Sequence, residues 1–156
     1  MSLKTTMIIL INDDELLLAN KKRGFGMGRW MGVGGKLDPG ESLEQAAIRE
    51  CQEEIQVTPK NIWNVATLDY RVIYNDEHEN LSIHVYFCDS WDGKPQETEE
   101  MAPKWFKQTE IPYDKMWPDT KHWLPLLLKG KKLTGKFEYD ESHNLLLKEI
   151  KEVEKL

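Results

Sequence analysis

Glu50, Glu53 and Glu54 stand three and four positions apart within residues 35–57, GKLDPGESLEQAAIRECQEEIQV. A helix over residues 43–56, turning about 100° per residue, carries all three carboxylates on one face. Like charges at that spacing destabilise a helix by a few tenths of a kcal/mol per pair, so a stretch selected for helix stability alone would alternate its signs. The patch calls for a cation. Hard divalent ions take oxygen ligands, and Mg²⁺ in particular is held by one or two carboxylates together with substrate phosphates; Mn²⁺ suits the same donors. Arg49 lies roughly 100° round the helix from Glu50 and is expected to orient the acidic cluster or Glu41.

Two further constellations suit a phosphorylated ligand. Lys21, Lys22 and Arg23 precede Gly24-Phe25-Gly26-Met27-Gly28. Next to an acidic metal patch they read as a clamp on phosphate, with lysine a point charge and arginine a bidentate donor. The glycines among residues 30–36 let backbone approach a ligand or metal closely. Further on, Trp117 and Asp119 offer an aromatic face that could stack on a base and a carboxylate that could hydrogen-bond its edge. His78 and His84 have no partner at ligand spacing, and a histidine metal site is not expected.

These residues need elements to position them. On the central helix Ala47, Cys51 and Ile55, with Ile48 nearby, form an apolar stripe, while Gln45, Gln52 and Gln56 lie opposite. Ser42 or the Pro39-Gly40 turn is expected to start it. Residues 5–11 read as a strand buried on both faces, 12–14 as a turn and 15–20 as the return, making a hairpin. Residues 61–74 and 81–90 read as a second antiparallel pair around a polar turn at 75–80. A polar connection over 91–98 and an amphipathic helix over 121–128 follow. Residues 129–136 look basic and turn-like, and 136–139 and 145–150 read as two strands, or one strand and a short helix.

The 156 residues suit one domain, 1–156, of the α/β class. A net charge of −6 argues against a nucleic-acid polymer as partner, since such binders concentrate Lys and Arg, but leaves a single nucleotide compatible. Cys51 and Cys88 read as reduced, buried thiols. No apolar run approaches about 18 residues, and no signal peptide is expected. The expectation is a soluble, cytoplasmic monomer without a membrane partner.

The order Gly35, five residues, Glu41, seven residues, Arg49-Glu50, Cys51, one residue, Glu53-Glu54, one residue, Gln56, Val57 resembles the signature of the Nudix hydrolases. Gln56 stands where that pattern has Gly, which would supply a left-handed cap, so the helix is expected to end in another way. Beyond the box, KKRGFG, GRW followed by GVGGK, EEMAPKWF, and MWPD with WLPLLL resemble the MutT-like Nudix enzymes acting on oxidised purine nucleoside triphosphates. The resemblance implies an α/β/α sandwich with a mixed β-sheet. It implies Mg²⁺-dependent hydrolysis to nucleoside monophosphate and pyrophosphate, cleansing the nucleotide pool.

By the same resemblance the metal positions are the Gly34 carbonyl, Glu50, Glu53, Glu54 and Glu100, and Arg49 joins those carboxylates in the catalytic set. The nucleotide positions are Thr6, Lys21, Phe25, the backbone of Val33, Gly34, Gly35 and Lys36, and Trp117 and Asp119. Met31 and Thr120 occupy base-edge positions where that branch has Asn and a second Asp, which leaves base reading mainly to Asp119. Two alternatives stand: a Nudix hydrolase of another nucleoside diphosphate derivative, and a catalytically silent nucleotide-binding module, although the box carboxylates are all present.

Overall fold

Apolar side chains on consecutive residues of the first strands require a sheet covered on both faces, and a computed structural model, describing residues 2–156, has that form. Its strands are β1 (Leu3–Asn12), β2 (Glu15–Lys21), β3 (Trp30–Met31), β4 (Thr58–Tyr74), β5 (Glu77–Asp92), β6 (Met101–Lys107), β7 (Lys132–Tyr139) and β8 (Leu145–Val153). The helices are α1 (Leu43–Ile55) and α2 (Thr120–Leu128). The strands run in the order β3-β2-β1-β5-β4-β7-β8, with β6 on β2. β1 with β5 and β4 with β7 are parallel and the other pairs antiparallel, so the sheet is mixed.

Alternation along each strand sorts the core into two layers. Ile8, Leu10, Leu17, Ala19, Tyr86 and Cys88 pack with Ala47, Cys51 and Ile55 of α1. Ile9, Leu16, Leu18, Val85 and Phe87 pack with Trp123, Leu124 and Leu127 of α2. Each helix thus covers one face of the sheet, the α/β/α sandwich that the motifs implied.

Several local expectations need correction. The first hairpin exists only at its tip, where Ile11 faces Leu16 and Asn12 faces Glu15. Beyond the tip β1 joins β5 and β2 joins β6, because each strand finds a longer partner. The polar turn expected at 75–80 shrinks to Asn75 and Asp76, both left-handed, and the rest of it pairs in β5. Residues 132–136 are strand: Gly135 lies within β7, where a side chain would meet the Phe137 ring at 2.8 Å. Of the two alternatives left for 136–139 and 145–150, the pair of strands is the one that forms.

α1 begins at Ser42, whose hydroxyl accepts from the Gln45 amide at 3.1 Å while the Gln45 side chain accepts from the Ser42 amide at 2.9 Å. Its end overturns an expectation. Gln56 itself takes the left-handed conformation, φ 60° and ψ 37°, and its amide reaches the Gln52 carbonyl at 3.0 Å. The backbone closes as a glycine cap would, with Gln56 bearing the strain.

Candidate active site

α1 turns its last two turns toward a segment of extended backbone, residues 33–36. The Ile8 amide donates to the Val33 carbonyl at 2.6 Å, and the Thr6 amide to the Gly35 carbonyl at 2.9 Å. A Cβ on Gly34 would fall 1.8 Å from the Thr6 carbonyl oxygen, and one on Gly35 would fall 2.6 Å from the Glu50 carboxyl carbon. These two glycines let a backbone run pass between β1 and the acidic face of the helix. The Gly34 amide donates to Glu54 Oε1 at 3.0 Å.

Glu54 is 5% exposed. Burial, then the charge of neighbouring Glu50, raises its pKa to about 8. Glu50, Glu54 and Glu100 line a single cleft with Thr6, Lys21, Phe25, Met31, Gly34, Gly35 and Lys36. Glu53 does not line it. Its side chain is 59% exposed and lies 3.2 Å from Arg49, its partner four residues earlier. Glu100 is drawn to Arg23 at 2.6 Å. Among the described residues no three acidic, histidine or cysteine side chains converge as metal ligands in this conformation. In this conformation Glu50 and Glu54 lie together in the cleft, while Arg49 holds Glu53 as well as Glu50 and Arg23 holds Glu100.

Glu50 and Glu54 still fit a hard divalent cation. Burial and the charge of Glu50 oppose ionisation of Glu54, a cost that a bound cation would offset, and carboxylate oxygens are the donors such an ion takes. Arg49 sits behind them: Nε reaches Glu41 at 2.8 Å, Nη1 reaches Glu50 at 2.8 Å and Nη2 reaches the Lys36 carbonyl at 2.9 Å. Its hydrogen bonds to Glu41 and then to Glu50 raise its pKa, so it stays a cation. The clamp of three basic residues also shrinks. Lys22 pairs with Glu97 at 2.5 Å and Arg23 with Glu100, which leaves Lys21 lining the cleft.

A second cavity, of about 170 Å³, shares Met7, Lys21, Phe25, Met31, Gly32, Val72, Leu81 and Ile83 with the cleft. Trp117, Asp119 and Thr120 line it, together with Tyr70, Trp123 and Tyr139, whose part the sequence did not signal. Asp119 is 1% exposed and its carboxylate is fully engaged. Tyr70 donates to Oδ2 at 2.5 Å, Trp123 Nε1 to Oδ2 at 2.7 Å, and the Tyr139 hydroxyl to Oδ1. The Trp117 ring stacks on Phe25 with centroids 5.2 Å apart, and Arg29 lies 3.9 Å from its centroid. The open ring expected of Trp117 is occupied in this conformation. Val33 points into the core and can offer a ligand only its backbone. Arg29 stands in the sequence only as part of the GRW motif, with no role of its own; Tyr70 and Tyr139 read only as strand aromatics.

A mixed sheet between two helices, with a helical carboxylate pair set against a glycine-rich run and backed by an arginine, defines a hydrolase of the Nudix family, and the chain belongs to it: the NUDIX domain model matches residues 1–127. The family generally works with a divalent metal such as Mg²⁺. An oxidized purine nucleoside triphosphate hydrolase of Mus musculus is 36% identical, covering 96% of this chain and 94% of its own length. Its namesake from Danio rerio is 37% identical, with 97% and 96% covered. The crystal structure of a MutT protein from Bacillus halodurans has the same fold, with a TM-score of 0.82 over 95% of this chain and 97% of that one, at 24% identity. Among the described residues no helix is long and apolar enough to cross a membrane.

Proposed function

We propose that this enzyme hydrolyses oxidised purine nucleoside triphosphates to nucleoside monophosphate and pyrophosphate. The observation that carries the reading is the shared wall between the two cavities. An aromatic chamber with a buried carboxylate opens into an acidic, glycine-lined cleft, as a ligand with a flat base and a phosphate tail requires. The names and near-complete coverage of the mouse and zebrafish relatives support the same substrate class.

Glu50 and Glu54 would hold Mg²⁺, with Mn²⁺ as a substitute, and Glu53, Glu100 and the Gly34 carbonyl would complete its shell. When bound, the ion neutralises phosphate charge and acidifies water. Lys21 bears on phosphate, while Thr6, Gly35 and Lys36 line its path. Arg49 keeps Glu50 aimed. Phe25, Met31, Trp117, Asp119 and Thr120 enclose the base. The substrate is a free nucleotide, and we take the enzyme to be a cytoplasmic monomer.

A panel of normal and oxidised (d)NTPs with Mg²⁺ tests the reading. The expected result is pyrophosphate as product and the highest kcat/KM for an oxidised purine. Orthophosphate as the product, or faster turnover of a nucleotide sugar or dinucleoside polyphosphate, would overturn it.

A further inference from the structure

Resting on the triphosphate hydrolysis just proposed, we infer that Arg23 is a phosphate-binding residue that exchanges Glu100 for the phosphate tail. In this conformation its guanidinium holds Glu100; once Glu100 turns to the metal, the same guanidinium is released to phosphate. Arg23 Nη2 lies 2.6 Å from Glu100 Oε1, and Nη1 lies 3.9 Å from Glu99. The backbone sets up this meeting. β2 and β6 pair as far as Lys21 and Met101, and the ladder runs on by one bond, the Lys22 amide donating to the Glu100 carbonyl at 3.0 Å. Lys22 Nζ adds bonds to Glu97 at 2.5 Å and to the Thr98 carbonyl at 2.9 Å. The two segments are thus tied beside the cleft by bonds that do not involve the Arg23 side chain. Its guanidinium can let go without loosening them.

The contact is weak enough to exchange. Arg23 and Glu100 keep 60% and 48% of their side-chain surface exposed, and an ion pair so open to water holds loosely. Both partners have other uses. Glu100 lines the cleft with Glu50 and Glu54, where a divalent ion outcompetes a single guanidinium for a carboxylate. The cleft is otherwise poor in cations: Lys21 and Lys36 line it against Glu50, Glu54, Glu79 and Glu100. A phosphate tail entering there meets more negative side chains than positive ones. Arg23, once released, adds a planar fork matched to phosphate oxygens, which Lys22, engaged with Glu97 and Thr98, does not supply. Metal and tail therefore assist each other, since the first takes Glu100 and the second takes the arginine that Glu100 leaves.

The test is equilibrium binding to wild type, Arg23→Gln, Glu100→Gln and the double variant, with thermal melting to confirm that each folds. In calorimetry without nucleotide, Arg23→Gln should tighten Mn²⁺ binding about two- to fivefold, because Glu100 no longer has to leave a partner. On the Glu100→Gln background the same substitution should not tighten it. With Mg²⁺ present, the affinity for α,β-imido-8-oxo-dGTP relative to 8-oxo-dGMP should fall by at least about tenfold in Arg23→Gln. The opposite signs separate exchange from packing, which would weaken both kinds of binding or neither. Should Arg23→Gln not fold, Arg23→Lys carries the affinity-ratio expectation in smaller measure. Unchanged or weaker Mn²⁺ binding, tightening that persists without Glu100, or an unchanged ratio overturns the inference. Arg23-dependent binding of the analogue, with no oxidised purine triphosphate hydrolysed, would sink the proposed activity and keep this inference. Failure of wild type to bind the analogue overturns both.

Discussion

At the scale of single residues, Glu53 is the informative case. Arg49 Nη1 spans Glu50 at 2.8 Å and Glu53 at 3.2 Å, the latter at an exposed surface where such a pair contributes about 1 kcal/mol or less. Glu53→Gln should fold normally yet lower turnover by at least about two orders of magnitude with excess Mg²⁺. Near wild-type turnover would remove Glu53 from the catalytic set. Arg49→Lys probes the support behind the carboxylates. A lysine cannot reach Glu41, Glu50, Glu53 and the Lys36 carbonyl together, so Mn²⁺ affinity measured by calorimetry should weaken by about 10- to 100-fold. Unchanged affinity would leave Arg49 a purely structural role. Helical spacing made the common face of Glu50 and Glu54 legible in the sequence. It could not reveal that Arg23 would claim Glu100 from 77 residues away, because ion pairs of that separation follow from the fold and have no local period.

At the scale of elements, α1 owes its legibility to its own periodicity: Ala47, Cys51 and Ile55 are buried, and Gln45, Gln52 and Gln56 face water. The cap was misread because a missing glycine was taken for a missing conformation. If Gln56 carries left-handed strain, Gln56→Gly should raise stability by up to about 1 kcal/mol in urea unfolding, since only the Cβ penalty is removed. A decrease would mean that the Gln56 side chain holds the turn. The neighbouring backbone run responds in the opposite sense. Gly34→Ala places a methyl carbon 1.8 Å from the Thr6 carbonyl oxygen, so residues 33–35 must leave β1. We expect a lower Tm together with lost activity, and an alanine variant as stable as wild type would contradict the close approach. The strands at the C-terminal end were less legible. β7 pairs in parallel with β4, far away in sequence, and Gly135 resembles a turn residue until Phe137 and Leu68 are seen to close on it.

At the scale of the whole molecule, the two-layer core encloses both thiols. Burial pushes Cys51 up to about 12 and raises Cys88 as well, so both remain protonated at neutral pH. In the native protein neither should react with an aromatic disulfide reagent over minutes, and both should react in denaturant; rapid labelling of the folded chain would contradict the packing around α1. The sandwich itself could be anticipated, because alternating burial on strands and a striped helix admit few layer arrangements. The chamber's interior could not: it is closed by Tyr70 and Tyr139, from the parallel strands β4 and β7, and by Trp117 from the segment before α2. The wall shared by chamber and cleft has one more consequence. Met7 and Ile83 sit on paired strands in the middle of the sheet, between the Asp119 end and the Glu50 end. Rigid strands make that span a fixed gauge, so a ligand is sorted by its reach as well as by its base: one too short to touch both ends at once forfeits the linkage between recognition and reaction, however well its ring fits.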